Sequence, residues 1–337
     1  MLVKIYRRQP PENSPQFAVV EASSRWGDER GGEKHAAWFL VGQDDLDRPE
    51  PRRLFDPDAA RNDIASDGIH HFIHQALPTP VSAAEKTAIE AFALATTLPL
   101  VREVSQGIQI LGTGTLFKHE DRYFIVTADH IFRTNEKDPK SPVIDLAEVA
   151  VPARPRQASL ATLGKIEVWH PKSGLIDVAV VELLEPETIE TLKRGWTFLP
   201  FSQVGRFDQH DRFIISGFLE EKAHLTDEIL HQARLDLTTD LLDFDPEVEE
   251  PTPYDRFLYL DKEGIKADGA RGPILSLKGM SGGPIWGFSI PSEGFWDPSR
   301  ALRVVAVQSS ELPQKWSRAM DWRAVREVLD LIDPAIS

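Results

Sequence analysis

From about residue 101 onward the chain is a succession of short apolar runs separated by turn-forming residues. A first group lies at Gln109–Phe117, Tyr123–Thr127, Val149–Pro152, Lys165–Trp169 and Asp177–Leu183. A second follows at Phe198–Phe201, Arg212–Gly217, Ala233–Thr238, Phe257–Leu260, Pro284–Gly287 and Arg303–Gln308. No long helical pattern intervenes, so the strands cannot be linked by helical crossovers into a parallel sheet. They predict an all-β barrel or sandwich, and the two groups predict two such units, 101–190 and 191–337.

The flanks read differently. Residues 1–100 carry Pro- and charge-rich stretches (Arg8 to Pro15, Asp45 to Asp58) between β-like runs such as Phe17-Ala18-Val19-Val20 and Trp38-Phe39-Leu40-Val41. Ser82-Ala83-Ala84-Glu85 is a capping box, and an Ala-rich helix continues from it to about Thr96 with Ile89, Phe92 and Ala93 on one side. At the other end Asp321 is an N-cap, and Trp322, Val325, Leu329 and Ile332 share a helix face before Pro334.

The charge is 38 − 53 = −15, and the 36 positions from Glu220 to Asp255 hold 12 acidic and 2 basic residues, −10 of that total. Such a balance excludes nucleic acid and anionic membranes as partners, because both need a basic footprint. The acidic run reads as a solvated loop, with attraction of a basic substrate or partner as the sharper reading. With no cysteine there is neither a disulfide framework nor a thiolate metal site. No signal peptide or membrane span is visible, so the expected address is the cytoplasm.

Chemistry concentrates in three places. In Lys278-Gly279-Met280-Ser281-Gly282-Gly283-Pro284 the glycines allow a tight turn that projects a serine hydroxyl while backbone amides face a developing oxyanion. The pattern equally fits the nucleophile elbow of α/β-hydrolases, but there the histidine follows the serine. Here the last of the ten histidines is His231, so chain order excludes the elbow. Upstream, Gly112-Thr113-Gly114 precedes Tyr123-Phe124-Ile125-Val126-Thr127-Ala128-Asp129-His130, a hairpin whose second strand runs into a histidine-bearing turn. The third place is Leu175-Ile176-Asp177-Val178-Ala179-Val180-Val181-Glu182-Leu183, where Asp177 stands at the mouth of an apolar strand. Asp129 and Glu182 are its rivals as the carboxylate that orients His130.

Together these segments resemble the chymotrypsin-like serine proteases, and more closely their cysteine-free bacterial, HtrA-like branch, over about residues 105–310. The resemblance implies a mainly β fold of two antiparallel six-stranded barrels, with an N-terminal extension and a C-terminal α-helix. It implies a serine endopeptidase with Ser281 as nucleophile, His130 as general base and Asp177 as orienting carboxylate, working on a polypeptide without a cofactor or metal. Gly279 and Ser281 would supply the oxyanion amides. Val307, Gln308 and Ser309 would lie on the strand that pairs with substrate, and Leu275 would sit at the base of an apolar specificity pocket.

Met280 stands where the digestive enzymes carry an aspartate that pairs with a newly cut N-terminus. Control by the extension or by a regulatory protein partner is therefore expected in place of N-terminal insertion. The competing expectation is a silent or partner-gated module on the same fold. His70-His71-Phe72-Ile73-His74 would put His70 and His74 one helical turn apart, and a helix face or polar core contact outweighs a metal site there.

Overall fold

The computed structural model describes residues 2–8, 16–21, 39–45, 65, 70–73 and 83–334, except 105–106, 135–140, 142, 156–158, 211, 221–223, 227–228, 232–233, 243–245, 247, 249, 261–262, 266–270, 274–275, 289–296 and 314. Two compact units emerge, Met1–Val81 with Leu242–Glu249, and Ser82–Leu241 with Glu250–Ser337. The first contains a four-stranded antiparallel sheet of β1 (Leu2–Arg8), β2 (Gln16–Glu21), β3 (Phe39–Asp45) and β4 (His70–Ile73) in the order β3-β1-β2-β4. His70 thus opens a strand, so the one-turn helical spacing to His74 does not arise, and His74 lies outside the described residues.

The second unit holds two curled antiparallel half-barrels. It begins with α1 (Ala83–Thr96), which buries Ile89 and Ala93 as its spacing predicts; Ser82 and the Glu85 side chain lie outside what is described. The first sheet comprises β5 (Thr97–Val104), β6 (Gly107–His119), β7 (Arg122–Thr127), β8 (Val149–Pro152), β9 (Leu160–Thr162), β10 (Ile166–Trp169) and β11 (Ala179–Leu183), in the order β10-β11-β7-β6-β5-β8-β9. After α2 (Pro186–Lys193), the two-residue β12 (Leu199–Pro200) adds a parallel pairing to β6. The sheet therefore has seven strands, two more than the five runs legible in the sequence. The additions are β5, hidden by Pro99 in its middle, and β9, three residues long. Because β5 is hydrogen-bonded to β6, the sheet starts at Thr97 and the compact unit at Ser82, ahead of the boundary near residue 100.

The second sheet is six-stranded: β13 (Arg212–Phe218), β16 (Arg234–Thr239), β17 (Asp255–Tyr259), β20 (Pro284–Phe288), β21 (Leu302–Leu312) and β22 (Trp316–Asp321), ordered β16-β13-β20-β21-β22-β17. Two ribbons lie outside it, β14 (His224–Thr226) with β15 (Ile229–His231), and β18 (Glu263–Ile265) with β19 (Arg271–Pro273). The acidic run is thus no single loop, since β14, β15 and β16 all fall within it.

Each sheet encloses its own core. Leu116, Ile125, Phe132, Val181 and Trp196 fill the first, and Phe213, Ile215, Met280, Ile285 and Val305 the second. Two helices couple the sheets. Phe92 of α1, which leads into the first sheet, meets Trp286 of β20 edge to face at 5.8 Å. After a short α3 (Pro298–Ala301) and the last two strands, α4 (Trp322–Ile332) leaves the second sheet, and its Trp322 packs 4.9 Å from Phe117 of β6. Asp321 caps α4 by accepting from the Arg323 amide at 2.9 Å. No helix among the described residues is long and apolar enough to cross a membrane.

Candidate active site

Strand register brings His130 and Asp177 together. Ala179, the first residue of β11, pairs with Thr127, the last of β7. Asp177, two residues before Ala179, consequently faces the single 3-10 turn His130–Phe132 that follows β7. That turn is anchored by Ile131 and Phe132, buried in the first core, while the His130 side chain stays 21% exposed.

Asp177 takes three donors. Its Oδ1 accepts from the His130 backbone N–H at 3.0 Å; its Oδ2 lies 2.7 Å from His130 Nδ1 and accepts from Ser309 Oγ at 2.6 Å. An anionic Asp177 requires the proton on Nδ1, which leaves Nε2 as the basic nitrogen. Burial alone would raise the Asp177 pKa. The His130 charge and hydrogen bonds from its ring, the Ser309 hydroxyl and the His130 amide outweigh it and hold the carboxyl down at about 2.

The rival carboxylates are engaged elsewhere. Asp129 points away from its neighbour and binds Arg133 at 3.0 Å and the His170 ring. Glu182 receives both arms of the Arg122 guanidinium at 2.8 Å.

The Ser281 turn is held from the first sheet. The Thr113 amide donates to the Ser281 carbonyl at 2.8 Å; the Thr113 hydroxyl donates to the Gly279 carbonyl at 2.8 Å and accepts from the Phe218 amide at 3.1 Å. Gly279 (φ 92°) and Gly282 (φ 87°) occupy the left-handed region. A Cβ on Gly282 would sit 2.0 Å from Thr127 Oγ1 and 2.2 Å from the Thr113 carbonyl oxygen, so the turn needs glycine for closeness as well as for dihedral angle. Gly112-Thr113-Gly114, met in the sequence only as hairpin context, is thus a strut beneath the serine turn. Among the described residues neither the Gly279 nor the Ser281 amide has an acceptor within the chain.

Ser281 reaches the histidine pair through Ser309. Its hydroxyl donates to the Ser309 carbonyl at 3.5 Å, the long limit of a hydrogen bond, while the Ser309 hydroxyl binds Asp177. Sequence reasoning missed this bridging role, because no local pattern marks a serine whose partner lies 132 residues away.

The proposed substrate strand needs correction at two positions. Val307 is flanked by Pro284 of β20 and Met320 of β22. The Gln308 amide donates to the Gly283 carbonyl, and the Gln308 carbonyl accepts from the Gly282 amide, both at 2.8 Å. Neither residue has a free edge to offer an extended peptide. Among the described residues, the β20 side of the strand is covered as far as Gln308 and open from Ser309 onward. Leu275 lies outside the described residues.

No family model matches this chain, and no curated protein matches it. Among solved structures, a chain from work on aromatic interactions in the coupled folding and binding of the intrinsically disordered Sesbania mosaic virus VPg protein overlaps with a TM-score of 0.38. It shares 12% identity over 68% of this chain and 87% of its own length, and a likeness that slight carries no argument.

Proposed function

We propose that the chain is a serine endopeptidase in which Ser281 attacks the peptide carbonyl, His130 is the general base and Asp177 orients it. One observation carries the reading: Ser309 binds Asp177 through its hydroxyl and accepts from Ser281 through its carbonyl, so nucleophile and base-orienting carboxylate meet on one residue. As Ser281 Oγ bonds to the carbonyl carbon, its proton passes to His130 Nε2, and Asp177 stabilises the imidazolium. The developing oxyanion faces the unpartnered amides of Gly279 and Ser281. Collapse breaks the C–N bond and the leaving amine takes the proton from His130; water then releases the acyl group by the same cycle.

Met280, fully buried in the second core, supports control that does not depend on an inserted N-terminus. A cysteine-free chain suits a reducing compartment such as the cytoplasm. A partner-gated module is the second reading, favoured by the resting Ser281 hydroxyl turning to the Ser309 carbonyl.

Treating the full chain with a fluorophosphonate separates them. The peptidase reading expects labelling that vanishes in Ser281→Ala and His130→Ala. A folded wild type that stays unlabelled points to the gated module.

A further inference from the structure

Next to Ser281 the second sheet presents a set of buried polar atoms that have no partner among the described residues. Glu311 stands opposite Ser317 in the β21–β22 pair and Gln308 opposite Ala319; a bulge between Gln308 and Ser310 absorbs Ser309. Ser317 and Ala319 alternate on one strand and share a face, so Gln308 and Glu311 share that face too. The bulge sends the Ser309 hydroxyl to Asp177, while Gln308 before it and Glu311 two residues after it fall on the common face.

On that face Gln308 Oε1, Glu311 Oε2 and Ser317 Oγ are buried and lack any hydrogen-bond partner among the described residues. The other atoms of these groups are occupied. Glu311 Oε1 accepts from the Leu277 amide at 2.8 Å and from Ser276 Oγ at 3.0 Å, and Gln308 Nε2 donates to the Ser310 carbonyl at 3.3 Å. The Glu311 side chain therefore spans from the strand that carries Ser309 to the segment that leads into Ser281. Two of the three orphans can only accept, and one belongs to a carboxylate. Leaving such atoms dry and unpaired is unfavourable, because each has given up its hydrogen bonds to water. A ligand that brings several donors and a positive charge removes that cost, and an apolar ligand does not.

We propose that this face receives a lysine or arginine side chain of the polypeptide on which Ser281 acts, with Glu311 as the specificity-determining carboxylate. The proposal rests on the peptidase reading for its substrate. It runs against the apolar pocket that Leu275 implied, and the chain's net charge of −15 draws basic polypeptides from a distance.

Two measurements on the full chain test it. Benzamidine binding is followed by calorimetry on Ser281→Ala, so that catalysis plays no part. It is expected to be at least tenfold tighter than that of benzyl alcohol, and to weaken at least tenfold in Glu311→Gln and by a smaller factor in Ser317→Ala. Equal binding of the neutral analogue, or benzamidine binding indifferent to both variants, overturns the proposal. Peptidyl phosphonates ending in lysine, leucine or glutamate are then compared on Ser281. The lysine probe is expected to react at least tenfold faster than the other two, with the lysine-to-leucine ratio collapsing in Glu311→Gln; a wild-type preference for leucine or glutamate overturns it. Glu311-dependent benzamidine binding without any phosphonylation of Ser281 would sink the peptidase reading and leave the cation site standing.

Discussion

The carboxylates near His130 and those near Ser281 are held in different ways. Around His130 in the first sheet every carboxylate is engaged: Asp177 with three donors, Asp129 with Arg133 and His170, Glu182 with Arg122. Around Ser281 in the second, Gln308, Glu311 and Ser317 each keep an oxygen without a partner among the described residues, and the serine turn borrows its support from Thr113 across the interface. A fully paired network holds one geometry, whereas unpaired acceptors wait for a donor. The carboxylates beside His130 are therefore satisfied within the chain, whereas Glu311 keeps one oxygen without a donor among the described residues.

The sharpest way to break this contrast is Gly282→Ala. The new methyl group would meet Thr127 and Thr113 within 2.2 Å at a φ of 87°, so the turn must leave its seat on the first sheet. A loss of about 4 kcal/mol is expected in equilibrium urea unfolding, from overpacking plus backbone strain. If stability is unchanged, the serine turn does not depend on the first sheet.

Thr113→Val tests the same dependence with the volume conserved. It strands the buried Gly279 carbonyl and the Phe218 amide, and at about 1–3 kcal/mol for each unpaired group the loss should be about 3 kcal/mol by the same assay. Thr127→Val, which removes only a donor to the Thr113 carbonyl, is expected to cost about 1 kcal/mol. Equal losses would mean that the strut is no more important than an ordinary hydroxyl within the first sheet.

An effect between those of the two threonine variants probes the His130 side. The folded state holds Asp177 at about 2 against an ordinary 3.8, so between those values the unfolded chain binds more protons and stability falls as pH falls. The contribution, about 2 kcal/mol, should be complete above pH ~4 and vanish as pH drops towards ~2. In acid titration followed by urea unfolding, wild type should lose this increment and Asp177→Asn should not. Parallel curves would show that the contacts around Asp177 add no acid-sensitive stability.

The positions of His130 and Asp177 were legible because each abuts an apolar run, and burial of the run brings the polar residue with it. Much of the strand pattern was legible for the same reason. The missing strands fail locally: β5 carries Pro99, and Trp316-Ser317-Arg318-Ala319-Met320-Asp321 of β22 has no β-branched residue, so only pairing with β17 and β21 makes it a strand. The misread edge at Val307 and Gln308 has a different origin. Which side of a strand is free depends on where its neighbour stops, and β21 has β20 beside it as far as Val307. The Thr113 strut and the Ser309 bridge join residues 166 and 132 positions from their partners, and no local pattern can mark such pairs.

The Thr113 strut also bears on the order of events as the chain leaves the ribosome. The first sheet is synthesised whole before Gly279 appears, so the seat for the serine turn exists before the turn does. Ser281 and β21, which bears Ser309, are made after the whole of the first sheet, and Asp177 acquires its third donor only then. A nascent or half-folded molecule would hold a histidine–aspartate pair without a positioned nucleophile. If the chain is the peptidase proposed above, such a molecule could not cut its own siblings while their unfolded segments were most open to attack. Competence would arrive as a single late step, coincident with the docking that buries the Gly112–Gly114 segment against the Ser281 turn.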